Sequence, residues 1–151
     1  MLSDHYTTFL TIHSILRWFI LLSGIGVLFS CFLGISRKLP FAPLGRRAGL
    51  IYVSLIDTQF LVGVLLYFDS PLVHTLWADP AVGMKQHELR FFGVEHTTIM
   101  VIALILAHIG AIRSRRAKEA LKAYSAALIW YAISLALILF GIPWWRPLLG
   151  Y

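Results

Sequence analysis

Two pairs of side chains in this sequence can do chemistry where ionisable groups are costly: His13 with Arg17, and Glu95 with His96. Each pair lies in a long apolar run, where lipid offers a charged or hydrogen-bonding group no water, so such residues mark a functional site by default. Arg17 follows His13 by four residues and projects from the same helical face one turn deeper. Glu95 stands about 100° from His96 on a helical wheel and points elsewhere.

The depths of the two histidines match. His13 lies about five residues in from the start of the first apolar run and His96 about six residues in from the matching end of the third, so each sits roughly 7 to 9 Å deep at 1.5 Å per residue. Two neutral imidazoles on facing helices suit the two axial positions of a low-spin b-type haem. The chain has no Cys-x-x-Cys-His, which excludes covalent haem attachment. A buried guanidinium at Arg17 needs a carboxylate, either Glu95 or a haem propionate, and Arg90 near the interface is the easier propionate partner. Glu95 then tunes a ligand or accepts a proton. Below His96 the row Met100, Ala103, Ala107 and Gly110, with Gly24 and Gly26 of the first run, is small or flexible enough to admit a flat macrocycle, or to let helices pack closely.

A second polar group lies in the second run: Ser54, Asp57, Thr58 and Gln59. A bare carboxylate there is strongly disfavoured, so Asp57 is expected protonated or paired. It is a candidate for proton transfer, or for holding a quinone headgroup with Gln59, or for fixing helix packing through hydrogen bonds. His108 has no intramembrane histidine at its level, so a second bis-histidine haem is not expected. His5, His74 and His87, with Asp69, Asp79 and Glu88, lack the spacing of a helical metal site. Cys31 lies in an apolar run and reads as a small hydrophobe.

The elements that must position these groups follow from hydropathy. Of 151 residues, 59% are hydrophobic and 13% charged, and the mean hydropathy is +0.79, which excludes an ordinary soluble domain. Four spans are expected, at about 9–35, 50–68, 91–112 and 123–142, separated by Pro40/Pro43, by the mixed connection from Ser70 to Leu89 with a short helix near Val73 to Ala78, and by a basic loop. The last span ends at Pro143-Trp144-Trp145-Arg146-Pro147, a proline stop with interfacial tryptophans. Residues Met1 to Thr8 contain no Lys or Arg, and Arg17 interrupts the run that follows, so the first span is expected to be retained rather than cleaved as a signal peptide.

The pI near 9.8 does not indicate a nucleic-acid partner, because the basic residues fall in two short loops: Arg37, Lys38, Arg46 and Arg47, then Arg113, Arg115, Arg116, Lys118 and Lys122. Only Lys85, Arg90 and Arg146 lie on the other side. By the positive-inside rule both termini are extracytoplasmic. The expected fold is all-α, a polytopic up-down-up-down four-helix transmembrane bundle, with sites built between facing helices.

Four segments carry a resemblance: His13-Ser14-Ile15-Leu16-Arg17-Trp18, Gln59 to Tyr67, Leu89-Arg90-Phe91-Phe92-Gly93-Val94-Glu95-His96, and Ile142-Pro143-Trp144. Together they make the chain resemble a family of short four-helix bacterial membrane proteins commonly labelled "cytochrome B". The resemblance covers nearly the whole chain and implies haem b binding and electron transfer, with His13 and His96 in the matching positions. It also implies the bacterial inner membrane as location and, as partners, the quinone pool or a respiratory protein. In that family a histidine often stands two residues before the glutamine of span two, where this chain has Asp57. A looser likeness to membrane-bound protoporphyrinogen oxidase, another small four-helix haem protein, lacks the Lys and Tyr-His context of that enzyme. Other readings are a haem-free assembly subunit of a larger complex and a proton-coupled carrier using Asp57, Glu95 and His108. A homodimer sharing haem between chains is compatible with the same residues.

Overall fold

Four apolar runs give four long helices because, in lipid, a helix is the way for one segment to satisfy its own backbone. The computed structural model describes residues 4–146; Met1–Ser3 and Pro147 of the proline stop lie outside them. The long helices are α1 (Asp4–Ser36), α2 (Leu44–Asp69), α6 (His96–Arg116) and α7 (Ala120–Gly141). Between α2 and α6 the chain makes three short helices, α3 (Pro71–Ala78), α4 (Pro80–Gly83) and α5 (His87–Arg90), and then a π-helical turn, Phe91–Glu95. With the turn and α5 included, the third span runs from His87 to Arg116, and all four spans are long and apolar enough to cross a membrane. The expected all-α membrane bundle is what the structure has, although its helices extend beyond the apolar cores: α2 begins at Leu44, directly after Pro43. Arg46 and Arg47 fall in its first turns, where long side chains can reach water from a helix end.

The helix ends have local causes. Lys38 adopts a left-handed φ of 52°, and Lys38 N donates to Ile35 O and Leu39 N to Gly34 O, the paired bonds of a Schellman stop. Pro71 and Pro80 occupy first-turn positions of α3 and α4, where a missing N–H costs nothing. At the end of α7 the Trp144 indole donates to Leu139 O at 2.9 Å.

α1 packs on α2 and α7, and α6 packs on α2 and α7, so α1 and α6 stand across a diagonal. Outward faces are apolar: Phe19, Leu22, Ile25, Phe29 and Phe32 are exposed along α1. The interior is organised by the fully buried Tyr52, Tyr124 and Tyr131. Tyr124 lies on Gly34, and Tyr131 approaches Gly49 so closely that a Cβ there would stand 2.6 Å from its hydroxyl. Ser134 donates to Ala103 O at 2.8 Å and lies 3.2 Å from the Tyr52 hydroxyl. Ala103 and Gly110, two of the small row below His96, are thus covered by α7. That row serves helix packing, and space for a flat ligand has to be sought nearer the His13 and His96 end.

Candidate functional site

His13 and His96 meet across the diagonal, with ring centroids 6.3 Å apart and ring planes inclined by 66°. The His96 Nδ1 lies 2.8 Å from Gly141 O. A carbonyl only accepts, so Nδ1 carries the hydrogen and a neutral ring keeps the Nε2 lone pair free, the arrangement in which metal-binding histidines are usually held. Gly141 supplies this carbonyl at the last turn of α7, where helix carbonyls lack an internal partner. The Met100 methyl packs against Gly141, one turn below His96.

His13 is held differently. Its backbone carbonyl accepts from the Gln59 side chain at 2.9 Å, which pins α1 to α2 at this level. Its ring lies on Gly63, where a Cβ would come within 3.2 Å of Cε1. Its Nδ1 is wholly enclosed without a hydrogen bond of good geometry, as is Gln59 Oε1, and the Gln59 backbone is the polar group beside the ring. Arg17 lies within electrostatic range of both imidazoles, with its guanidinium carbon 5.5 Å from the Trp18 ring centre.

The π-helical turn shapes the mouth of the site. A π-turn is wider than an α-turn and so brings residues five apart onto one face; here it sets Arg90 Nε 2.6 Å from Glu95 Oε1. The carboxylate offered by the sequence to Arg17 is therefore bonded to Arg90, which also donates to Met84 O at 3.0 Å. Phe91 and Phe92, from the same turn, place their rings 5.8 and 6.2 Å from that of His96. Arg146 lies over Phe92 at 4.4 Å and 3.4 Å from Glu88, closing the end of the bundle.

The pair of imidazoles fits haem better than a bare ion. Among the described residues no group of three or more His, Cys, Asp or Glu side chains could hold a metal, whereas a haem iron brings four nitrogens and needs two more. Two imidazoles facing each other with ring centroids 6.3 Å apart, one with its Nδ1 hydrogen held by a backbone carbonyl, are a donor set that would hold haem iron.

Comparison of the chain with protein-family models, with curated proteins and with solved structures returns no match.

The remaining polar residues divide between this site and others. Gln59 belongs with His13. Asp57 faces away from it and pairs with His108, Oδ1 to Nε2, at 3.5 Å, a partnership that residue counting along the spans does not reveal. Of the other histidines, His74 donates to Phe68 O and His87, at the start of the third span, packs against Phe91 and Trp145, so the two are used separately.

Proposed function

We propose that the protein is a membrane b-type cytochrome with one haem held by His13 and His96. The observation that carries this reading is the facing pair of imidazoles with ring centroids 6.3 Å apart, one with its tautomer set by Gly141 O. Bound there, haem supplies reversible one-electron transfer, and axial histidines with their hydrogen bonds tune its potential. The protein's own residues supply position and charge. Gly141 O holds the His96 ring and favours its ligating form, while Gln59 fixes the height of His13 on α1. Arg17 and Arg90 offset propionate charge, and Glu95, held by Arg90, tempers the local positive field. Phe91 and Phe92 keep water from the His96 side.

In this reading both termini and residues 70–89 are extracytoplasmic, by the positive-inside rule applied to the loops at the basic end. The membrane is the bacterial inner membrane. The haem then lies near the extracytoplasmic face and exchanges single electrons between lipid-soluble quinol and a partner protein.

The test is a reduced-minus-oxidised absorption spectrum of detergent-purified protein with a pyridine haemochrome assay on the same sample. The expected result is a sharp b-type α band at about one haem per chain, lost in His13→Ala and in His96→Ala. Colourless protein from cells well supplied with haem, or a low-spin band retained in both single variants, overturns the assignment and favours a haem-free assembly subunit.

A further inference from the structure

Asp57 and His108 form a polar pair that the haem site does not use. Their side chains are each 45% exposed in the seam between α2 and α6, at the outer surface of the bundle. Asp57 lies about midway along α2, far from either end. The residues one turn away on the same faces, Leu61 on α2 and Ile105 and Ile112 on α6, are exposed and apolar. Hydrogen-bonding groups open to hydrocarbon are costly, and intramembrane ionisable residues normally face protein or a ligand.

The hydrogen bonds of His108 define what such a ligand meets. His108 Nδ1 lies 3.1 Å from Leu104 O, so Nδ1 donates, and in a neutral ring Nε2 is an acceptor turned toward Asp57 Oδ1. Side by side at 3.5 Å, the imidazole nitrogen and the carboxylate oxygens are groups that can hydrogen-bond a carbonyl or a hydroxyl of a ligand. A molecule that offers either group and enters from lipid has a polar head and an apolar tail.

We infer that the Asp57–His108 pair is the headgroup site of a lipid-soluble quinone, with its isoprenoid tail lying along Leu61, Ile105 and Ile112. With a proton on the pair a quinone carbonyl accepts from it, and without one a quinol hydroxyl donates to Asp57, so the site accommodates both forms. The position suits exchange with the proposed haem: Asp57 stands six residues, about 9 Å, along α2 from Gly63, and His108 twelve residues, about 18 Å, along α6 from His96. That role rests on the cytochrome reading, while the binding itself does not.

The experiment is photolabelling of the full chain in detergent with a short-chain azido-ubiquinone, followed by peptide mapping, alongside an absorption spectrum of the same preparation. Label is expected on the α2 and α6 segments around Asp57 and His108, displaced by excess unlabelled short-chain ubiquinone. Asp57→Leu/His108→Leu should lower it at least tenfold; leucine on a lipid-facing surface leaves the bundle's packing intact, and displacement on the unaltered chain gives a readout that needs no variant. Label at other residues, or label unchanged in the double variant, overturns the inference. So does an unlabelled chain whose dimer falls apart in the double variant, since a second copy then covers the pair. Label without a haem band removes the cytochrome reading and leaves the quinone site standing; a haem band without label does the reverse.

Discussion

The His13 ring rests directly on Gly63 of the neighbouring helix, where a Cβ would approach its Cε1 to 3.2 Å. The ring that faces His96 is thus braced from behind by a residue with no side chain, and the bundle sets the 6.3 Å separation by how closely α1 and α2 approach.

Replacing Gly63 by valine should therefore displace the His13 ring. On propensity alone the change favours the helix slightly, since glycine is among the poorest helix formers. Haem per chain is nevertheless expected to fall at least tenfold, with helicity by circular dichroism unchanged. Gly63→Ala, whose single methyl asks the ring to give by a few tenths of an ångström, should keep haem and shift the band. Full haem content in the valine variant would show that His13 is not a ligand.

Gln59→Leu tests the pin between α2 and the backbone of His13. Hydrogen bonds between membrane helices contribute roughly 0.6 kcal/mol on average and up to about 1.7, and this amide also has an enclosed Oε1 without a partner. The net loss should stay near or below about 1 kcal/mol, measured by thermal unfolding in detergent. The haem band should broaden, because the height of His13 is no longer fixed.

Arg90 and Glu95 give a test by sign. They form an ion pair beside His96, so removing either leaves the other's charge uncompensated. At an effective dielectric constant of about 20, a unit charge about 10 Å away acts with about 1.7 kcal/mol, which is some tens of millivolts for one electron. Glu95→Gln should raise the haem potential and Arg90→Gln should lower it, both read by redox titration. Shifts of the same sign, or none, would place the pair away from the haem.

Much of this was legible in the sequence, for reasons that differ residue by residue. Four apolar runs of sufficient length dictate four helices, and counting inward from their ends puts His13 and His96 at one depth. Counting fails for Asp57 and His108, which lie about 17 and 26 Å from Phe68 and Phe91 at 1.5 Å per residue, although the folded chain sets them 3.5 Å apart. A lone carboxylate in one span and a histidine unmatched in depth in the next was the signal available. The Gly141 carbonyl is a backbone group and leaves no mark in residue type. The π-helical turn is a change of hydrogen-bond register that no periodicity in Phe91–Glu95 announces, and without it Arg90 and Glu95, five residues apart, do not share a face. The small row at Ala103 and Gly110 was readable as small, but its use was decided by Ser134 and Tyr131 of α7.

The Tyr52, Ser134 and Ala103 chain tests whether the bundle's polar core holds the helices together. Ser134 gives its hydrogen to Ala103 O, so it accepts from Tyr52, and each side chain has one defined role. Ser134→Ala leaves the Tyr52 hydroxyl buried without an acceptor and should cost about 1–3 kcal/mol. Tyr52→Phe removes the donor and leaves Ser134 bonded to Ala103, so its cost should be smaller, about 1 kcal/mol. The double variant removes both ends of one bond and should cost less than the two singles added, a coupling measurable by a thermodynamic cycle of detergent unfolding. Because these residues lie toward the basic end from the histidines, the haem spectrum should not change in any of the three. A spectrum that did change would mean that α7 transmits the core's packing to the Gly141 carbonyl, and so to the tautomer of His96.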